Sequence, residues 1–191
     1  LYTRVYGLLV AQAIDPIEKK PLFHFLPGSR SYSIATVGCN FRCTFCQNAD
    51  ISQLPRETGA VAGRYTPPEA VVEAAQQSGC RSIAYTYTEP TIYFEYTLDV
   101  ARLAQAEGLA NVYVSNGYMT TEMLDRMITS DAPPLLDAAN IDLKAFSDAF
   151  YREQCGARLQ PVLDSLQVLK ARGVWLEVTT LIIPGLNDSD G

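Results

Sequence analysis

Thr36-Val37-Gly38-Cys39-Asn40-Phe41-Arg42-Cys43-Thr44-Phe45-Cys46 decides how this chain is read. It opens as the end of a short apolar run, Tyr32–Val37, and then becomes a loop carrying three cysteines in the spacing C-x3-C-x2-C. A structural zinc site is closed by four ligands, and an ordinary iron–sulfur cluster is held by four thiolates. Cys80 and Cys155 stand far along the chain, so no fourth cysteine is local. A compact set of three leaves one metal position open. An open iron on a four-iron cluster is a place where a small molecule can be ligated directly.

Outward from this loop, short β-branched or aromatic runs alternate with helical patterns at intervals of roughly 30 residues, the size of a strand–helix–strand unit. The candidate strands are Tyr32–Val37, Ser82–Thr86, Ala110–Val114, Ala139–Leu143 and Val174–Leu181. Thr66-Pro67-Pro68-Glu69 reads as a capping box with proline in the first turn, starting a helix that ends at Gly79. Further helices are expected from about Thr91 to Gly108, from near Thr120, and from Pro161 to Gly173, with glycine at the left-handed cap position. Such alternation implies parallel strands joined by right-handed crossovers, in a partial barrel or an open sheet. Sites in these folds lie at the carboxyl ends of the strands.

Residues 1–31 differ from this pattern. Val5–Ile14 reads as a strand, Asp15-Pro16-Ile17-Glu18-Lys19-Lys20-Pro21 as a polar turn, and Leu22–Leu26 as a return. The reading is a β-hairpin-like appendage over 1–31, followed by the α/β core over 32–191. His24, between Phe23 and Phe25, reads first as a packing histidine.

With 191 residues, 48% of them hydrophobic, the chain is long enough for one domain with a core of its own. Nothing in a net charge of -6 suggests a nucleic-acid partner, and no apolar run approaches the length of a membrane span. The chain begins with Leu1 and stops in a loop at Gly191, which reads as a piece of a longer protein. Five cysteines, an odd count with three clustered, fit a reducing cytoplasm rather than a disulfide framework. Cys80 and Cys155 read as small buried hydrophobes.

Each strand end carries residues a plain core would not hold. Tyr85-Thr86-Tyr87-Thr88-Glu89-Pro90 follows the second strand and Ser115-Asn116-Gly117 the third. Asn140, Asp142 and Lys144 are spaced by two and so share one face. Burying that carboxylate and ammonium costs several kcal/mol unless they are paired or used. Two readings follow: an internal Asp142–Lys144 pair serving structure, or groups waiting for a ligand. On the fifth strand, Glu177 and Thr179 again place polar groups on one face.

Taken together, the cysteine loop and these strand ends resemble radical S-adenosylmethionine (SAM) enzymes of the pyruvate formate-lyase-activating type, over about Ser33 to Asp188. The leader and loop, Asp15–Pro21, His24–Ser29 and Thr36–Phe41, look like the radical enzymes associated with AMMECR1-like and Memo-like proteins. The resemblance implies a partial (β/α) barrel with helices outside and its last strand or strands missing. It implies a [4Fe-4S] cluster on Cys39, Cys43 and Cys46, with SAM on the fourth iron and cleaved to a 5′-deoxyadenosyl radical that abstracts hydrogen. Tyr87-Thr88-Glu89-Pro90 stands where the family has glycine–glycine–glutamate–proline, whose backbone meets the cofactor's amino group; both glycines are replaced here. Ser115-Asn116-Gly117 matches a threonine–asparagine–glycine turn, Asp142-Leu143-Lys144 matches aspartate–leucine–lysine with Lys144 on the cofactor's carboxylate, and the resemblance implies that the backbone near Phe45 meets the adenine. A flavodoxin- or ferredoxin-like electron donor is implied. The substrate, a protein glycine as in glycyl-radical activases or a small molecule, stays open. The competing reading is a metal-binding structural module, zinc or iron–sulfur, with His24 or a distant cysteine as the closing ligand of a zinc site.

Overall fold

The computed structural model describes residues 3–128 and 133–188. Among these, the strands are β1 (Leu8–Pro16), β2 (Arg30–Thr36), β3 (Arg64–Tyr65), β4 (Ser82–Tyr85), β5 (Ala110–Ser115), β6 (Ala138–Asp142) and β7 (Trp175–Thr179). They form a single sheet in the order β3-β1-β2-β4-β5-β6-β7. The run from β2 to β7 is parallel throughout, while β1 is antiparallel to both β2 and β3. The edges β3 and β7 do not pair, so the barrel is partial and open, as expected. The connections carry α1 (Ala49–Ser52), α2 (Leu54–Thr58), α3 (Pro68–Gln77), α4 (Phe94–Ala106), α5 (Thr121–Met127), α6 (Asp148–Phe150) and α7 (Gln160–Ala171). Among the described residues no helix is long and apolar enough to cross a membrane.

The two-residue period of a strand separates two cores. Ile34, Ile83, Tyr85, Tyr113, Ala139 and Ile141 face the helices and join Val71, Val100, Leu124, Val162 and Leu169 in the main core. The intervening residues Ala84, Val112 and Ala138 face the concave side, where they pack against Ile17 and Leu22.

That second core corrects the reading of the leader. Leu22–Leu26 is not a strand; the antiparallel partner of β1 is β2, with Asp15 opposite Ser31 and Ile14 opposite Tyr32. The boundary expected at residue 31 therefore falls inside β2. Between the two strands the chain makes a 3-10 turn over Ile17–Lys19 and crosses the concave face of the sheet. Ile17 and Leu22 are 0% exposed there, each worth roughly 1.5–3 kcal/mol of burial. Asn140 Nδ2 donates to the Pro21 carbonyl at 3.0 Å, and Glu177 accepts from the Phe23 and His24 amides at 2.9 and 3.0 Å. His24 itself is not packed; its side chain is 77% exposed and sits 3.5 Å from the Glu177 carboxylate.

Helix boundaries follow local signals with two departures. Gly79 and Gly173 take φ of +63° and +80° just beyond α3 and α7, the left-handed caps the sequence suggests. Thr120 caps α5, accepting from the Met123 amide at 3.2 Å. The capping box at Thr66 does not form. Thr66 is held by its own backbone, donating to Gly7 at 2.8 Å and accepting from the Tyr96 hydroxyl at 2.8 Å, so its hydroxyl turns to the Arg64 carbonyl. The helix expected from Thr91 divides into a 3-10 turn, Pro90–Tyr93, and α4.

Candidate active site

The thiol loop is held from both sides. The Gly38 amide donates to the Ile51 carbonyl at 3.0 Å, and the Arg42 and Thr44 amides donate to Cys155 and Gln154, both at 2.9 Å. Those two carbonyls belong to a π-helical turn, Tyr151–Cys155, that continues α6 and ends at Gly156. A side chain at Gly156 would collide with Arg42. Phe41 is buried and meets Tyr118 and Tyr151 edge-on at 5.3 and 6.3 Å, while Phe45 leans on Phe150 at 5.8 Å.

Cys39, Cys43 and Cys46 are all half-buried. The Phe41 amide and Asn116 Nδ2 point at Cys39 Sγ from 3.4 and 3.8 Å, and Cys46 Sγ lies 3.3 Å from Ser52 Oγ. Burial first, then Glu89, with Cys43 and Cys46 also contributing, push the Cys39 thiol up to about 12 in the metal-free chain. A hydrogen bond shared with Cys155, together with burial, pushes Cys43 up as well. Cys155 is thus not remote, as its sequence position suggested, but buried against the second cysteine of the motif.

Glu89 joins the ends of β4 and β5. Its carboxylate accepts from Ser115 Oγ at 2.8 Å, from the Asn116 amide at 2.9 Å and from the Thr91 amide at 3.2 Å. Burial pushes Glu89 up, and these donors oppose that shift. Asn116 then reaches back to the loop, donating to Asn40 Oδ1 at 2.7 Å as well as toward Cys39. Thr88 Oγ1 donates to the Thr36 carbonyl at 2.9 Å, tying its segment to the end of β2.

Asp142 and Lys144 form an ion pair of 2.7 Å, with side chains 35% and 18% exposed. Burial disfavours the ammonium, but Asp142 outweighs it and the Lys144 pKa is raised; the nearby Cys43 and Cys155 thiols add to that. The Tyr151 hydroxyl accepts from the Lys144 amide at 2.9 Å, so this pair and the thiol loop share the π-helical turn as a support.

Tyr87 takes φ of +64°, left-handed backbone rarely adopted by a bulky residue. Its carbonyl accepts from Asn48 Nδ2 at 2.8 Å. Its hydroxyl donates to Asp15, and its ring lies under Lys20 Nζ, 4.4 Å from the centroid. Asp15 also accepts from Lys20, Lys19 and Ser33 at 2.6, 2.8 and 2.9 Å. Although burial opposes its charge, these donors hold Asp15 well below the usual carboxylate range.

The sequence pattern of the Radical SAM superfamily matches residues 33–191. The chain belongs to the radical SAM superfamily. An uncharacterised protein of Methanocaldococcus jannaschii is 46% identical over 189 residues, 99% of this chain and 54% of that protein. A putative glycyl-radical enzyme activating enzyme of the same organism is 24% identical over 166 residues, 85% of this chain and 60% of that protein. The chain thus spans about half the length of the curated relatives it matches. A solved structure of TYW1 with a lysine-pyruvate adduct bound superposes with a TM-score of 0.58 at 21% identity, covering 89% of this chain and 61% of that one.

Radical SAM proteins use a [4Fe-4S] cluster and S-adenosylmethionine. The donor set fits such a cluster: soft thiols, two N–H groups aimed at Cys39 Sγ, and no carboxylate within the motif. Among the described residues no three His, Cys, Asp or Glu side chains converge tightly enough for one ion. Sequence reasoning missed Asn40, Asn48, Asp15, Lys20 and Cys155 as parts of this region.

Proposed function

We propose that Cys39, Cys43 and Cys46 hold the [4Fe-4S] cluster and that the adjoining strand ends hold S-adenosylmethionine, for reductive radical generation and hydrogen abstraction. The observation that carries this reading is the position of Asn116. Its side chain meets a loop thiol while its backbone amide holds Glu89, so the thiols and the polar strand ends belong to one region. In this reading the Tyr87–Thr88–Glu89 segment receives the cofactor's amino group. Lys144 receives its carboxylate, with Asp142 holding the ammonium charged until then. Ser115 and Asn116 fix the wall between, and the backbone near Phe45 meets the adenine.

When bound, the cluster supplies one electron that splits SAM into methionine and a 5′-deoxyadenosyl radical able to take hydrogen from a substrate. The chain's own part is to position and to exclude water. Phe41, Tyr118, Tyr151 and the Phe45–Phe150 pair give the loop an aromatic backing. The electron donor is read as a flavodoxin- or ferredoxin-like protein. Similarity to a relative named as a glycyl-radical activating enzyme supports a protein glycine as hydrogen source. The leader sequence supports association with AMMECR1-like and Memo-like proteins, and the thiol-rich loop suits a reducing cytoplasm.

Anaerobic reconstitution of the full-length protein tests the reading. About four irons and four sulfides per chain are expected from a single cubane, with 5′-deoxyadenosine formed from SAM and dithionite. Cys39→Ala, Cys43→Ala and Cys46→Ala should each abolish that product, and Cys80→Ala should not. Zinc without sulfide, or product from any of the three variants, overturns it.

A further inference from the structure

Tyr87 occupies a position where the chain needs a left-handed residue yet carries a bulky one. For a non-glycine residue that backbone costs about 1–2 kcal/mol, and such strain persists only where the surroundings over-determine it. Asn48 holds the Tyr87 carbonyl, and what holds its side chain comes from the leader. Asp15, at the end of β1, accepts from the Tyr87 hydroxyl, and Lys20, 1% exposed, lies over the Tyr87 ring and donates to the same hydroxyl oxygen at 3.3 Å. Lys20 is itself placed because its neighbours Ile17 and Leu22 are packed on the concave face. Two residues beyond Tyr87 stands Glu89, which is locked to Ser115 and Asn116.

We propose that Asp15 and Lys20 are positioning residues for cofactor binding: they clamp the Tyr87 phenol and so hold the 87–89 segment in the backbone conformation that receives the cofactor's amino group. This rests on the assignment of that segment to the cofactor. The leader is then a working part of the site, acting through a side chain where a glycine would need no help. Neither Asp15 nor Lys20 touches the cofactor; each acts through Tyr87.

The test uses the full-length protein with its cluster reconstituted, and reads SAM affinity by calorimetry and by the change SAM causes in the cluster's electron paramagnetic resonance spectrum. Tyr87→Phe removes one hydroxyl and keeps the ring. It should weaken SAM binding about 5- to 30-fold, the equivalent of the backbone strain the clamp now offsets. Tyr87→Gly adopts positive φ freely and should bind more tightly than Tyr87→Phe, although it deletes far more side chain. Asp15→Asn should weaken binding in the parent and have no further effect in the Tyr87→Gly background, because coupling vanishes when the shared partner is gone. A purely structural role would make Tyr87→Gly the worst of these variants and leave Asp15→Asn equally harmful in both backgrounds; that result overturns the proposal. Unchanged affinity in Tyr87→Phe also overturns it. In that case Glu89→Gln separates the causes: weakened binding keeps the segment's assignment to the cofactor and rejects only the clamp, whereas unchanged binding rejects the assignment too.

Discussion

Lys144→Met separates the two readings of the Asp142–Lys144 pair. The pair is 2.7 Å long, with side chains 18% and 35% exposed, so solvent screens it and its net worth to the fold is about 1 kcal/mol or less. For a protein of this length that is a fall of about 2–4 °C in Tm, and methionine keeps most of the packing of the lysine stem. A hydrogen bond to a charged group is worth about 1.5–3 kcal/mol. If Lys144 meets the carboxylate of SAM, affinity should fall by that amount, about 10- to 150-fold. The pH dependence adds a check. The Lys144 pKa is raised, so the ammonium and its contribution are fully present below the ordinary lysine pKa of about 10.4 and are lost only as pH rises through the higher folded value. Affinity of the parent should therefore be flat from about pH 6 to 9 as far as this group is concerned. Thermal melts of the variant, paired with calorimetry at several pH values, give both numbers. A large loss of Tm with unchanged SAM affinity would refute the ligand reading and leave a structural pair.

Three further outcomes follow from the same geometry. Asp15 has a depressed folded pKa, so its stabilising contribution is present above its unfolded pKa of about 3.9 and is lost as pH falls below that; Asp15→Asn should flatten the parent's acid-side stability curve, measured by denaturant melts from pH 5 downward. Leu22→Ala removes a fully buried side chain from the concave face and should cost about 2–5 kcal/mol, read as a drop in denaturation midpoint with unchanged m-value. Cys155→Ala keeps the three motif thiols, so iron content and 5′-deoxyadenosine formation should survive, and loss of iron there would make Cys155 a ligand.

What the sequence disclosed was local, and what it concealed was pairing at long range. The parallel strands were legible because each is a compact apolar run, and the thiol loop because its three cysteines lie within eight consecutive residues. Asp15 and Lys20 looked like solvated members of a polar turn. Their burial depends on Ser33 and on Tyr87, 18 and 72 residues from Asp15, and no periodicity in the leader carries that information. Cys155 resembled an inert core thiol for the same reason: the π-helical turn that brings it to Cys43 has no sequence signature comparable to a helix cap. Thr66 failed as a cap because Gly7 and the Tyr96 hydroxyl already held its backbone. His24 sits between two phenylalanines, yet the carboxylate of Glu177 on β7 accepts its amide and holds it at the surface.

The small residues of the inner strand face explain why the leader can lie where it does. Ala84 and Ala138 leave room for Ile17 and Leu22, and a larger side chain at either position would displace them, since overpacking a filled core typically costs 1–3 kcal/mol. The leader's apolar contacts on the concave face are with Ala84, Val112 and Ala138. Beyond Ala138, along β6, stand Asn140, bonded to Pro21 and Thr179, and then Asp142 with Lys144 beyond the strand end. The polar strand ends thus begin where the leader's apolar contacts stop. Beyond them only the leader's polar side chains continue, with Asp15 and Lys20 meeting Tyr87 past the end of β4, so leader and strand ends are joined through charge and hydrogen bonds rather than apolar packing.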